Sequence, residues 1–367
     1  MNPNFILSKY LTKSFLVTFL GVLLMVLGVV FMFEIIELLR RFSGRDAAFS
    51  FILKMGLTKM PRTIEMIFPF VVMIAGMITF WKFSKSNEFV VIRVAGVSIW
   101  GFLAPIVFIT FIVGAINVAA VNPLSSWMYE VYETLDYRYK TKNPEAMLFD
   151  SKGLWFREAA EEGKVVILQA KSIKQEEKTL FLKNITIIEM DKNSIPILRI
   201  EAFAGDLYDG YFELKDVKIF KAGEPTEVLN SMEYKTSINI DRIRENFVEP
   251  EAISFWDLPL TIKFYEASGF SARKHYLRYM TLLVSPFLLC SMILVSAVFS
   301  LRPNTRRGGV MLMVAGGIST GFLVYFMSQV IYAFGLNGYI PVLLSVCSPF
   351  LVITLISVSV LLHLEDG

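Results

Sequence analysis

The run GGVMLMVAGGISTGFLVYFMSQVIYAFGLNGYIPVLLSVCSPFLVITLISVSVLL, residues 308–362, contains no charged side chain and decides the fold class. An α-helix needs about 20 apolar residues to cross the hydrocarbon layer of a membrane, so this run is long enough for two helices. Glycine, asparagine and proline cluster at residues 335–341, which predicts the turn between the two helices. The run therefore indicates a membrane protein with a pair of spanning helices in this region.

Four further apolar stretches precede this pair. The second of them is the shortest, with 16 uncharged residues, and we expect it to extend upstream toward Pro61, which suits the first turn of a helix. The total is six spanning helices, three before and three after a polar segment. The four stretches are residues 15–33, 66–81, 99–121 and 279–301.

The polar segment, residues 122–265, holds 25 of the 33 Asp and Glu residues and 19 of the 36 Lys and Arg residues. Short runs with high β-propensity follow one another there, separated by turn signals such as Asp209-Gly210, which predicts an antiparallel sandwich or jelly roll. The predicted fold class is an α-helical transmembrane bundle, 3+3, with an inserted all-β, jelly-roll-like domain. The predicted domains are an N-terminal membrane half (1–121), the β-domain (122–265) and a C-terminal membrane half (266–367).

Lysine and arginine in short loops predict the orientation, because such loops are retained in the cytoplasm. The N-terminal residues, the loop after the second helix and residues 302–307 are basic and lie on one side, so both termini are expected there and the β-domain on the other. The segment after the first helix breaks this rule. Either the bases of the other loops determine the orientation in spite of this segment, or its bases meet an anionic partner at the outer surface. These bases are Arg40, Arg41, Arg45, Lys54, Lys59 and Arg62.

Several function classes find little support in the composition. The chain has two histidines, too few for most histidine-based metal sites and proton relays, and it has no Gly-x4-Gly-Lys-Ser/Thr loop for nucleotide hydrolysis. The basic loops lack the interleaved aromatic residues of a nucleic-acid surface. We therefore expect a chain with no catalytic residues, no metal site and no nucleic-acid partner.

Three arginines near the end of the first predicted helix and the start of the second are candidate binding residues. Arg41 lies four residues after Glu37, so the two could simply pair on one helix face. Alternatively, Arg40, Arg41 and Arg62 form a rim where an anionic headgroup docks, since a guanidinium group binds phosphate through two hydrogen bonds.

The segment SKSNEFVVIRVAG, residues 84–96, is the second candidate site. It opens with cap-type residues that include Asn87 and closes at Gly96, which predicts a short helix in a cytoplasmic loop. This helix could lie flat on the membrane or insert into a soluble partner. Glu88 and Arg93 would be its exposed polar groups.

Taken together, four segments resemble the LptF/LptG family of lipopolysaccharide export permeases. PRTIEMIFP at 61–69 is similar to the family's Pro-bounded start of the second helix, and NEFVVIRVAG at 87–96 to its coupling segment. KGLW at 152–155 is similar to the opening of its soluble domain, and residues 316–325 with Pro341 to its last two helices. The resemblance runs over nearly the whole chain and is closer to the LptG branch.

The resemblance implies a permease that extracts lipopolysaccharide from the outer leaflet of the bacterial inner membrane and passes it to a periplasmic bridge. Its implied partners are a related permease in a heterodimer, a cytoplasmic ATPase dimer that alone uses ATP, and a single-span periplasmic jelly-roll protein; no cofactor binds this chain. Arg40, Arg41 and Arg62 fall on positions that meet lipid A phosphates. Asn87, Glu88 and Arg93 fall on the ATPase-coupling segment.

Three acids depart from the family pattern. Glu34 stands where the branch often has lysine, and Glu130 and Glu133 follow the third helix where arginines are expected. Two other functions remain open on the sequence alone. One is another ABC-type permease, for lipoprotein release or efflux, although those place their external domain after the first helix. The other is a membrane-anchored periplasmic scaffold whose β-domain binds a partner passively.

Overall fold

The helices of this computed structural model extend beyond the charge-free stretches of the sequence. Residues 3–43, 48–140, 146–150, 153–159, 165–176, 179–191, 196–208, 210–221, 224–236, 249–267, 271–301 and 309–366 are described. The helices are α1 (Pro3–Arg41), α2 (Phe49–Lys85), α3 (Glu88–Val94), α4 (Ile99–Ile116), a π-helical turn (Asn117–Val121), α5 (Asn122–Lys140), a 3-10 turn (Pro250–Ala252), α6 (Leu258–Ala267), α7 (Arg273–Ser300), α8 (Gly309–Leu336) and α9 (Val342–Asp366).

Within the described ranges, six helical segments are long and apolar enough to cross a membrane, which confirms the predicted number. They are α1, α2, α4 with its continuation into α5, α7, α8 and α9. The expected start of the second helix was wrong, because α2 begins at Phe49 and Pro61 lies in its interior. Membrane helices tolerate internal proline, since neighbouring groups can satisfy the freed carbonyl.

The chain forms two compact units. One comprises residues 1–132, 254–256 and 276–367, and the other comprises residues 133–253 and 257–275. In the first unit, aromatic side chains form the interior between α1, α2 and α4, as in the edge-to-face contacts of Phe19 with Phe68 and of Phe83 with Phe102. On α4, a Cβ at Gly114 would lie 2.8 Å from the backbone Cα of Pro286, so glycine permits the close approach of α4 to α7.

Direct contacts assign the helix termini of this unit to two ends. At one end, the start of α1 reaches α3 through Tyr10 and Glu88, and the backbone nitrogen of Ile99 on α4 donates to Glu365 on α9. We call this the α3 end. At the opposite end, the last turn of α1 contacts α5 and the first turns of α7 contact α2. We call this the α5 end. Successive spans therefore run in opposite directions.

The second unit contains a seven-stranded antiparallel sheet, which confirms an inserted β-domain. The strands are β1 (Ala146–Asp150), β2 (Gly153–Ala159), β3 (Val165–Glu176), β4 (Thr179–Met190), β5 (Pro196–Tyr208), β6 (Tyr211–Lys221) and β7 (Glu227–Lys235). Each described strand pairs with its neighbours in sequence, in the order β1 to β7. A jelly roll also pairs strands that are distant in sequence. The described strands instead follow an up-and-down order, in which each strand pairs with the next one along the chain, as short connections favour.

The strands do not fill the predicted range of the β-domain, because residues 122–140 and 258–267 are helical. Inside the sheet, inward side chains such as Phe212, Leu214 and Val217 are buried. The alternation shifts by one residue at Asp216, where φ is +54°, and again on β4 at Asn184, where φ is +52°. The ladders of β3 to β6 each skip one pair at this level, so the regular pairing of the strands is interrupted there.

Candidate functional site

At the α5 end, a lysine and a glutamate from adjacent helices neutralise each other. Glu34 on α1 is only 6% exposed and forms an ion pair with Lys59 on α2. Lys59 Nζ also lies 3.9 Å from Glu37 Oε1. A buried carboxylate is tolerated only when it is paired, so Lys59 explains how an acid can occupy this position in an apolar helix.

Tyr132 on α5 brings two cations together. Its hydroxyl oxygen accepts a hydrogen bond from Arg41 Nη1 at 3.1 Å, and the Lys59 ammonium lies 5.8 Å from the centroid of its ring. The tyrosine is 7% exposed, so its position is fixed by packing. An aromatic face attracts a cation, and Tyr132 therefore holds Arg41 of α1 and Lys59 of α2 on one side of the unit.

Glu65 is the centre of a second polar cluster, which includes the predicted Arg62. Its side chain is 5% exposed, and its Oε2 lies 2.6 Å from Arg278 Nη2 on α7 and 3.8 Å from Arg62 Nη1. Its Oε1 accepts a hydrogen bond from Asn122 Nδ2 at 3.0 Å. One buried carboxylate thus connects α2 with α5 and α7.

The π-helical turn before α5 extends this cluster to the segment 254–256. Asn122 Oδ1 accepts a hydrogen bond from the backbone nitrogen of Phe255 at 2.9 Å, and the indole nitrogen of Trp256 donates to the Ala119 carbonyl at 3.0 Å. The Phe255 ring stacks on Tyr279 of α7 at 5.3 Å. A π turn breaks the regular helical ladder, and such turns occur frequently at functional sites.

Only part of this site is predicted by the sequence pattern. Arg40 and Arg41 are exposed on the last turn of α1, and Arg62 is one turn after Lys59 on α2. The ion pair of Lys59 and the buried cluster around Glu65 were not predicted. An isolated acid within an apolar helix was the available signal, because ionisable residues are rare there and are usually paired. Glu130 and Glu133, the two acids that stand where arginines are expected after the third helix, lie on α5 on either side of Tyr132 in the sequence. Arg45 and residues 302–307 lie outside the described residues.

At the α3 end, the predicted short helix is present as α3. Its inward side chain, Phe89, is 8% exposed and packs edge-to-face on Phe102 of α4 at 5.3 Å. Asn87 precedes the helix with φ of +59°, and its side chain makes no capping hydrogen bond, because a left-handed backbone does not present it as an ordinary N-cap. Gly96 follows with φ of +85°.

The charged groups of α3 complement its dipole and differ in exposure. Glu88 occupies the first turn and Arg93 the last, the arrangement that a helix dipole favours. Glu88 is half-buried and accepts hydrogen bonds from Tyr10 and Ser86, whereas Arg93 is exposed. The exposed face between them is apolar, and its residues are Val90, Val91 and Val94. The helix therefore presents an apolar face bounded by two opposite charges.

Comparison with known proteins gives one family and two relatives. A family model described as lipopolysaccharide export system permease LptF/LptG matches residues 9–363. The chain is similar to the lipopolysaccharide export system permease protein LptG of Escherichia coli strain K12, with 22% identity over 372 residues. The LptG protein of Escherichia coli O6:H1 has the same identity. Each match covers 96% of this chain and 98% of the relative, so the likeness includes both membrane halves and the sheet between them.

Proposed function

Because this chain belongs to the LptF/LptG family of lipopolysaccharide export permeases, we propose that it draws lipopolysaccharide from the outer leaflet of the inner membrane and passes it to a periplasmic bridge. The chain is a multi-pass inner-membrane protein and a permease subunit of lipopolysaccharide export. The observation that carries the proposed route is the grouping of Arg41 and Lys59 around Tyr132 at the end of the unit from which the β-domain is inserted.

In this proposal the α3 end faces the cytoplasm and the α5 end faces the periplasm. Basic residues at the α3 end support the orientation, since cytoplasmic loops are rich in lysine and arginine. These residues are Lys9, Lys13, Lys82, Lys85 and Arg93. The contact of Ile99 with Glu365 brings the end of α9 to the same side, so both termini would be cytoplasmic and the β-domain periplasmic.

Arg40, Arg41 and Arg62, together with Lys59, would bind the phosphates of lipid A. Arg40 and Arg41 are exposed on the last turn of α1, where a guanidinium group can reach a headgroup and form two hydrogen bonds with phosphate. Glu34 and Glu37 reduce the local positive charge and hold Lys59 in place. These four bases of the segment that breaks the positive-inside rule would thus serve the cargo.

Asn87, Glu88 and Arg93 would form the contact with a cytoplasmic ATPase dimer, which hydrolyses ATP for the complex. The exposed valines of α3 suit an apolar groove, and the flanking charges suit complementary groups around it. This chain would take no cofactor itself. Its other partners would be a related permease in a heterodimer and a single-span periplasmic jelly-roll protein.

Charge reversal tests the binding site in the intact complex, reconstituted in vesicles that contain lipopolysaccharide. We expect Arg40→Glu, Arg41→Glu and Arg62→Glu together to lower photocrosslinking to lipid A about tenfold or more, because three phosphate contacts are lost. Lys54→Glu is the matched control, since Lys54 is exposed near the start of α2 and lies outside the proposed site. Unchanged crosslinking in the triple variant contradicts the binding site.

The contact with the ATPase is tested separately through Glu88. We expect Glu88→Ala to uncouple ATP hydrolysis from lipopolysaccharide release in the same vesicles, because an oriented carboxylate is lost from α3. Normal release by this variant contradicts the coupling role of α3. Purification of the chain from its native membrane without any ATPase would favour the passive scaffold.

A further inference from the structure

Two hydroxyl groups hold the carboxylate of Glu88, one at each oxygen. Tyr10 on α1 donates to Oε2 at 2.9 Å, and Ser86 donates to Oε1 at 2.8 Å. The Ser86 hydroxyl also lies 3.0 Å from the carbonyl oxygen of Lys82, and its single proton serves only one of these acceptors at a time. Tyr10 is therefore the more constant donor to Glu88.

The two donors differ in what they connect. Ser86 precedes Glu88 by two residues, so its hydrogen bond is local to the turn between α2 and α3. Tyr10 is separated from Glu88 by 78 positions, and its bond fastens α3 to a different helix. The Tyr10 ring is placed by Phe83 of α2, with the ring centroids 5.9 Å apart.

Helix α1 continues without a break from Tyr10 to Arg41. At 1.5 Å per residue, these two side chains are separated by about 46 Å along the helix axis. Near the far end, Glu34 pairs with Lys59 of α2 and Arg41 donates to Tyr132. The continuous helix α1 therefore connects the hydroxyl at Tyr10 with the contacts to α2 and α5 at its other end, and it is the element through which a displacement could pass.

We propose that Tyr10 is a positioning residue for coupling, whose hydroxyl orients the Glu88 carboxylate and passes the movement of α3 to α1. The proposal rests on the proposed function, because it takes α3 as the contact with the ATPase. A hydrogen bond from a hydroxyl to a carboxylate is charge-assisted and stronger than a neutral one. The carboxylate also keeps acceptor capacity for a cationic group of the partner, so the bond to Tyr10 persists when the ATPase engages.

The test is Tyr10→Phe in the intact transporter, reconstituted with its partner subunits in vesicles that contain lipopolysaccharide. The variant keeps the ring beside Phe83 and removes only the hydroxyl. We expect the lipopolysaccharide released per ATP hydrolysed to fall about tenfold, the lower end of the effect expected when a hydrogen bond to a charged group is lost, while the ATPase still co-purifies. Thr18→Val is the matched control, because the Thr18 hydroxyl bonds the Ser14 carbonyl within α1. It should keep the wild-type ratio.

Two more variants separate the link to α1 from the mere orientation of Glu88. Ser86→Ala should lower the ratio less than Tyr10→Phe, and Tyr10→Phe should have no further effect in a Glu88→Gln background. Equal losses in Ser86→Ala and Tyr10→Phe overturn the link to α1. A wild-type ratio in Tyr10→Phe, in an assay where Glu88→Ala is uncoupled, overturns the inference and leaves the proposed function intact. Full coupling in Glu88→Ala overturns the coupling role of α3, on which this inference rests.

Discussion

The two ends of the membrane unit place their charges in opposite ways. At the α5 end, the acids Glu34 and Glu65 are buried, and each is paired with a base from another helix. At the α3 end, Arg93 is exposed and Glu88 is half-buried beside two hydroxyl groups. Phe89 beneath them anchors α3 to α4. Charged residues therefore form a buried network at the α5 end and a solvated surface at the α3 end.

Burial separates the charges that hold the fold from those that are available to partners. A buried carboxylate must keep its cation, because an unpaired charge in a low-dielectric interior is strongly unfavourable. An exposed charge on a short helix contributes little to stability and stays accessible to another molecule. The α5 end thus combines fixed pairs with the exposed Arg40 and Arg41, whereas the α3 end presents nearly all its charge outward.

The largest expected effect is at Glu65. Glu65→Leu leaves Arg278 buried without its carboxylate, and we expect it to lower the free energy of unfolding of the membrane unit by about 3–5 kcal/mol. Unfolding can be followed by circular dichroism as sodium dodecyl sulfate is added to the chain in mild detergent micelles. The combined variant Glu65→Leu with Arg278→Met should recover most of the loss, because both ends of the pair are then apolar.

Glu88→Gln is the control for this comparison, since it removes a carboxylate from the α3 end. We expect it to change the same free energy by less than about 1 kcal/mol, as surface charges usually do. If Glu65→Leu is no more destabilising than Glu88→Gln, burial does not explain how charged residues at the α5 end and the α3 end differ in their contribution to stability.

A smaller effect is expected at the pair of Glu34 and Lys59, because Lys59 is about a quarter exposed. Glu34→Gln weakens one charge-assisted contact and should lower the free energy of unfolding by about 2 kcal/mol. The exchange Glu34→Lys with Lys59→Glu should restore more than half of the loss seen in Glu34→Lys alone, which places two cations together. The double-mutant cycle measures this pairing, and the absence of any recovery contradicts it.

The six spanning helices were predictable, because the hydrocarbon layer excludes charge and each span is therefore a nearly charge-free stretch of about 20 residues. Helix α3 was predictable from its local sequence, since cap-type residues precede it and Gly96 follows it. The full lengths of the spanning helices were not predictable, because a helix continues through charged residues into the headgroup region. Helix α1, for example, extends from Lys13 back to Pro3 and from Glu34 on to Arg41.

The partners of buried charges could not be deduced, because they depend on which helices pack together. Arg278 lies 213 positions from Glu65, and no local pattern joins them. The order of the strands was also inaccessible, since runs of β-prone residues predict strands without specifying which strands pair. The positions of Arg40, Arg41 and Arg62 near the end of the first helix and in the second could be predicted, but the contacts of Tyr132 with Arg41 and Lys59 could not.

The smallest effect is expected in the β-domain, where Lys215 and Asp206 form an exposed pair at 3.0 Å. The hydrogen bond to Asp206 raises the pKa of the Lys215 ammonium above its ordinary value of 10.5. Since the folded state binds this proton more tightly, the stabilisation is complete below pH 10.5 and is lost as the pH rises through the raised pKa. Carbon-13 NMR of the lysine ε-methylene in the full chain measures the titration. Asp206→Asn should lower the midpoint toward 10.5 and leave thermal stability at pH 7 nearly unchanged, because solvent screens the pair. A loss of stability comparable to that of Glu34→Gln would show that exposure does not determine how much a charge pair contributes to the stability of this protein.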